Sequence, residues 1–235
     1  MEETRTLCDS DRPAEMSLFP RALPNILVTG RCHDARLAGG SRLIARFVCS
    51  PHRRTSHRRP LSRSYRSRTH PGTPGCGKTS LCEALASAIG FTHIEVNGII
   101  KAKSLHSGKD ESFDSLIIDE EAEDKICDEL EPALGAAAGG QLVDYHSVAF
   151  FPERWFDLVV VLRADTAVLY DRLQARSYSQ KKVSENVECE IMQVVLESVR
   201  ESYRAEIIKE VQSNTTEDMD SNVDSITAWV DACRR

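Results

Sequence analysis

The chain has no run of 18 apolar residues, so no segment reads as a membrane-spanning helix. Its opening, MEETRTLCDSDRPAEM, lacks the apolar core that a secretory signal carries, and no such signal is expected. None of the eight cysteines, at positions 8, 32, 49, 76, 82, 127, 189 and 233, belongs to a CxxC or CxxH pair. That scatter points to neither a zinc site nor a disulfide framework, and a reducing compartment is the expectation. With only 12 Gly and 9 Pro and with 41% hydrophobic residues, the 235 residues suffice for one well-buried domain.

One segment lacks nearly everything a core needs. From Arg31 to Gly72 there is no lysine and a single acid, Asp34, against eleven arginines. Because the whole chain carries a formal charge of -6, the remainder is strongly acidic. Ser, His and Pro fill the segment without apolar periodicity, and such a composition cannot offset the entropy of ordering it. Residues 31–71 are therefore expected to be a disordered insertion, and residues 1–22 a disordered N-terminal extension. RNA binding or nuclear import is conceivable for so basic a stretch. It has no interleaved aromatics beyond Phe47 and Tyr65, so compositional accident is preferred and no sequence-specific nucleic-acid binding is expected.

Elsewhere short apolar runs alternate with helical patterns. PNILVTG (Pro24 to Gly30), FTHIEV (Phe91 to Val96), QLVDYH (Gln141 to His146), LVVVL (Leu158 to Leu162) and the weaker IIKEV (Ile207 to Val211) read as strands. Helices are expected from Lys78 to Gly90, Asp119 to Ala138, Asp165 or Thr166 to Ala175, Ser184 to Tyr203, and Glu217 to Ala232. Asn97 to Ser115 reads as a polar, flexible stretch. The alternation predicts an α/β fold, a parallel five-stranded sheet covered on both faces by helices.

Gly72, Gly77, Lys78 and Thr79 satisfy G-x-x-x-x-G-K-[ST], and a helix begins at once. Glycines let backbone N–H groups turn inward around a polyphosphate, and the helix N-terminus adds its positive end. Lys78 would neutralise the β- and γ-phosphates, and the Thr79 hydroxyl would ligate Mg²⁺. Asp144, ending an apolar strand, is the expected second metal ligand beside Thr79. His146 lies two residues on, with a structural role equally open from the residues alone. Arg172 and Arg176 share a helix face; Arg176 is expected to meet nucleotide from a lid, and Arg172 to lie on a solvated face. Lys101 and Lys103 are within reach of an acceptor phosphate, although solvated lysines are the preferred reading.

Taken together, NILVTG, TPGCGKTS, VDYH, FFPERW, VLRADTAVLYDRL and NVDSITAW resemble adenylate kinase isoenzyme 6, also described as the coilin-interacting nuclear ATPase. The resemblance covers Leu23 to Gly30 and Gly72 to about Val230. It implies a P-loop nucleoside monophosphate kinase-like domain over residues 23–30 and 72–233, with a monophosphate-binding arm at 95–118 and a lid at 175–185. It also implies that Gly75, Cys76, Gly77, Lys78, Thr79 and Ser80 contact ATP, that Arg176 closes over it, and that Asp144 and His146 form the Walker B pair. The implied activity is adenylate kinase, with ATP, Mg²⁺ and AMP, combined with an ATPase. The implied setting is small-subunit ribosome maturation in nucleus and cytoplasm, bound to a small-subunit ribosomal protein and the pre-ribosome, as a monomer and away from membranes.

The sequence departs from that family at three places: Asn97 and Gly98 stand where a Gly-Asp pair is usual, Ser177 where the lid carries glycine, and Ser147, Val148 and Ala149 after VDYH where Gly-Cys-Asp is usual. Two further functional readings stay open. One is a nucleotide-gated assembly factor with little kinase activity. The other is an impaired product of a gene model that retains an intron, because joining Gly30 to Gly72 restores the junction VTGTPGCGKTS. The strand expected directly before the phosphate loop otherwise stands more than forty residues too early.

Overall fold

The computed structural model describes residues 21–30, 67–69, 75–110 and 115–234. Strands β1 (Ile26–Thr29), β3 (Thr92–Glu95), β6 (Gln141–Asp144), β7 (Leu158–Arg163) and β8 (Ile208–Gln212) form one parallel sheet in the order β3-β6-β1-β7-β8. The early strand is thus its centre. Ile26 pairs with Leu142 on one side and Leu158 on the other, and all four β1 residues are buried. A strand hydrogen-bonded on both edges and covered on both faces must be apolar throughout, which ILVT nearly is.

Successive β1 residues serve opposite layers, as strand pleating requires. Leu27, Val143, Val159 and Val161 pack under α3 (Glu120–Leu134) and α6 (Val194–Ser202), together with Trp155 and Tyr203. Ile26, Val28, Leu142, Val160 and Leu162 pack under α1 (Lys78–Ile89), α4 (Thr166–Gln174) and α7 (Thr216–Cys233). Asn25 pins the entry to β1: fully buried, it donates Nδ2 to Leu134 O and Trp155 O and accepts from Gln141 N.

Four expectations change. Asn97 to Ser115 is not one flexible stretch, because α2 (Val96–Lys103) is followed by the antiparallel strands β4 (Gly108–Asp110) and β5 (Ser115–Ile118). Sequence pattern misses so short a helix when Asn97 and Gly98 occupy its first turn. The single helix from Ser184 to Tyr203 is two, α5 (Gln180–Ile191) and α6, broken at Gln193 with φ 54°. Val183 belongs to the α1 layer and Leu196 and Val199 to the α3 layer, so the chain has to change direction between them. Helix α3 stops at Leu134, short of Ala138. Finally, Arg21 and Ala22 are anchored, Arg21 Nη1 to Asp157 Oδ2 at 3.0 Å and Ala22 N to Ala137 O at 2.9 Å, so they do not belong to a loose extension; the rest of 1–22 lies outside the described residues.

Of the basic segment, only β2 (Ser67–Thr69) is described, and it pairs antiparallel with Leu116 to Ile118 of β5. The remainder of the expectation for residues 31–71 lies outside the described residues. Of the expected lid, 175–185, residues from Gln180 onward are already helical, and Ser179 Oγ accepts from Lys182 N as their cap.

Candidate functional site

All five strands of the large sheet run the same way, so Thr29, Glu95, Asp144, Arg163 and Gln212 end on one edge. The loop from Gly75 to Gly77 delivers the chain to α1 at that edge, immediately beside β1. Gly77 holds φ 77°, a conformation that costs an L side chain about 1–2 kcal/mol. Gly72 lies outside the described residues.

Three predicted residues converge here. Lys78, only 6% exposed, donates Nζ to Gly30 O at 2.9 Å, so its ammonium is held over the end of β1. Thr79 Oγ1 donates to Asp144 Oδ2 at 2.5 Å, and Asp144 is 3% exposed at the end of β6. His146 is buried just beyond, its ring centroid 4.3 Å from that of Tyr145, while its carbonyl accepts from Thr29 Oγ1. Ser80 is exposed on the first turn of α1, and the Cys76 side chain is buried beneath the loop. Burial raises the Cys82 thiol pKa well above its ordinary value, with the Asp144 charge adding to the effect and Lys78 opposing it. Cys82 therefore stays neutral next to the charged groups.

Thr79 and Asp144 together supply a hydroxyl and a carboxylate in contact. Hard oxygen donors of this kind suit Mg²⁺, which commonly takes one or two protein oxygens and completes its shell with phosphate and water. Among the described residues no group of three or more His, Cys, Asp or Glu is gathered that would hold a metal by protein ligands alone. The donor set fits a cation shared with a polyphosphate.

Other candidates sit differently. Arg176 is exposed in the turn after α4, and its guanidinium makes none of these contacts. Lys103 pairs with Glu129 on α3 at an exposed position, and Lys101 is exposed on α2. Arg172 corrects the sequence reading. Rather than facing solvent, it is half-buried and donates Nη1 to Gly75 O (2.9 Å) and Ser213 O (2.7 Å) and Nη2 to Asn214 O (2.7 Å). Nothing in the local sequence announces this, because two of its acceptors are carbonyls forty residues away. Also missed were Ser213, whose Oγ donates to Cys76 O at 2.9 Å, and His93, whose Nε2 lies 3.9 Å from Asp144 Oδ2.

Comparison with known proteins finds relatives in sequence. The family described as "AAA domain" matches residues 71–193, beginning where the basic segment ends. The adenylate kinase isoenzyme 6 homolog of Dictyostelium discoideum is 48% identical over 159 residues, covering 68% of this chain and 88% of that protein. The homolog from Caenorhabditis elegans is 47% identical over 155 residues, covering 66% and 84%. Among solved structures, a gluconokinase from Sinorhizobium meliloti 1021 matches with TM-score 0.48 at 13% identity, covering 91% of this chain and 97% of that one.

Proposed function

Since the chain belongs to the adenylate kinase isoenzyme 6 family, we propose that it transfers the γ-phosphoryl group of ATP to a nucleoside monophosphate, AMP foremost, and hydrolyses ATP at the same site. The observation that carries this reading is the meeting of Lys78, Thr79 and Asp144 at the end of the two adjacent strands β1 and β6. A kinase-like P-loop protein needs little covalent chemistry from its side chains; it needs positive charge and fixed donors where negative charge spreads.

Each residue then has a task. The N-terminal amides of α1, with Gly75, Cys76, Gly77 and Ser80 shaping the loop, cradle the phosphates. Lys78 exchanges the Gly30 carbonyl for phosphate oxygen, a trade that its pre-positioned stem makes inexpensive. Thr79 and Asp144 would hold Mg²⁺, which supplies neutralisation of the polyphosphate charge when bound. His146 stands two residues beyond the carboxylate, where it can order the attacking oxygen or water. Arg176, exposed on a short turn, is free to swing in with the lid.

A second reading has its own support. Helix α3 opens with Glu120, Glu121 and Glu123, and α7 with Glu217 and Asp218, so the chain presents acid that suits a basic partner such as a ribosomal protein. In that reading the same site gates an assembly factor for the small ribosomal subunit. The discriminating experiment is a coupled assay of ADP formation with and without AMP. AMP-dependent ADP formation that Lys78→Ala reduces by about 10² or more supports the kinase. Phosphate release indifferent to AMP and stimulated by a basic partner supports the switch, and no turnover in either format defeats both.

A further inference from the structure

Resting on the nucleotide-binding reading above, we infer that Arg172 and Ser213 brace the phosphate cradle from behind, which makes Arg172 a positioning residue for ATP. A loop whose amides point inward at phosphate turns carbonyls outward, and carbonyls packed against protein require donors. Two successive carbonyls receive them: Gly75 O from Arg172 Nη1 and Cys76 O from Ser213 Oγ, each at 2.9 Å. The planar guanidinium also spans to Ser213 O and Asn214 O, so a single rigid fork joins the loop to the turn between β8 and α7.

That turn is itself fixed at several points. Ser213, 2% exposed, donates N to Arg163 O at 2.8 Å; Asn214 Oδ1 accepts from Asp165 N at 2.7 Å; Asn214 N donates to Asp218 Oδ2 at 2.8 Å. Glycine at 75 lets α4 come close enough for the brace, since a Cβ there would lie 2.6 Å from Leu169 Cδ1. The planes of peptides 75 and 76 are thereby set before nucleotide arrives, so binding does not have to order them. The Arg172 guanidinium and the Ser213 hydroxyl both donate to backbone carbonyls, so the effect passes through backbone orientation.

The test compares full-length wild type with Arg172→Met, Arg172→Lys and Ser213→Ala. Calorimetric titration with Mg-ATP gives affinity, and hydrogen exchange without nucleotide gives loop order. The brace predicts about tenfold weaker ATP binding for Arg172→Met, a smaller loss for Ser213→Ala, and poor rescue by lysine, whose single ammonium cannot span the acceptors. It also predicts faster exchange confined to residues 75–80, with α3 and β3 unchanged and the AMP affinity unaltered. Wild-type ATP affinity in both Arg172→Met and Ser213→Ala overturns the brace, as does exchange that rises uniformly over the fold. If wild type binds ATP and Lys78→Ala does not, such a result sinks the brace alone; if wild type is silent toward ATP, the functional reading falls with it.

Discussion

Ser177 sits just past α4 with φ 57°, in the left-handed region that serine enters at a cost of about 1–2 kcal/mol. The serine leaves the turn before α5 strained. Ser177→Gly is expected to raise stability by about 1 kcal/mol, read as a higher urea midpoint at unchanged slope; an unchanged or lower midpoint would show that the turn is content. Residues whose chemistry is written into local spacing were the legible ones. Lys78 and Thr79 follow from the glycine-rich motif, and Asp144 from its place at the end of an apolar run. Arg172 was not legible, since its role is set by where the carbonyls of Ser213 and Asn214 fall in space. Side-chain identity alone cannot distinguish a solvated arginine from one that grips backbone.

At the scale of elements, α3 shows how a cap becomes a pH dependence. Asp119 Oδ1 accepts from Ala122 N at 3.0 Å, and that bond, the largest influence, holds its carboxyl below the usual carboxylate range. A depressed folded pKa means that the stabilisation is present above the unfolded value near 4 and lost as pH falls through the folded one. The urea midpoint of wild type should therefore drop more steeply between pH 5 and pH 2.5 than that of Asp119→Asn, which caps without titrating. Equal slopes would remove the charge from the account of this helix. Elements with strong periodicity, β7, α1 and α7, were plain in the sequence. Helix α2 and the break between α5 and α6 were not, because a short helix with Gly98 inside it has no readable period, and a change of layer leaves no mark on an amphipathic pattern.

At the scale of the molecule, the basic segment separates β1 from the loop it supports, yet β1 still occupies the centre of the sheet. Closing a loop of this length costs on the order of 3 kcal/mol, a burden the buried core can bear. Its effect is expected at the cradle, because the sequence no longer joins the phosphate loop directly to β1, and misplaced donors cost on the order of 10² to 10³ in rate. The measurement that bears most directly on the cradle of Lys78, Thr79 and Asp144 is calorimetric titration of ATP, with and without magnesium. It should be made on the full chain, on the chain with Gly30 joined to Gly72, and on the latter carrying Asp144→Asn. The account predicts that excision tightens ATP binding, that magnesium tightens it further, and that Asp144→Asn removes the magnesium gain while leaving binding of ATP alone. An excised chain that takes up no ATP, or a magnesium gain that survives Asp144→Asn, would contradict it.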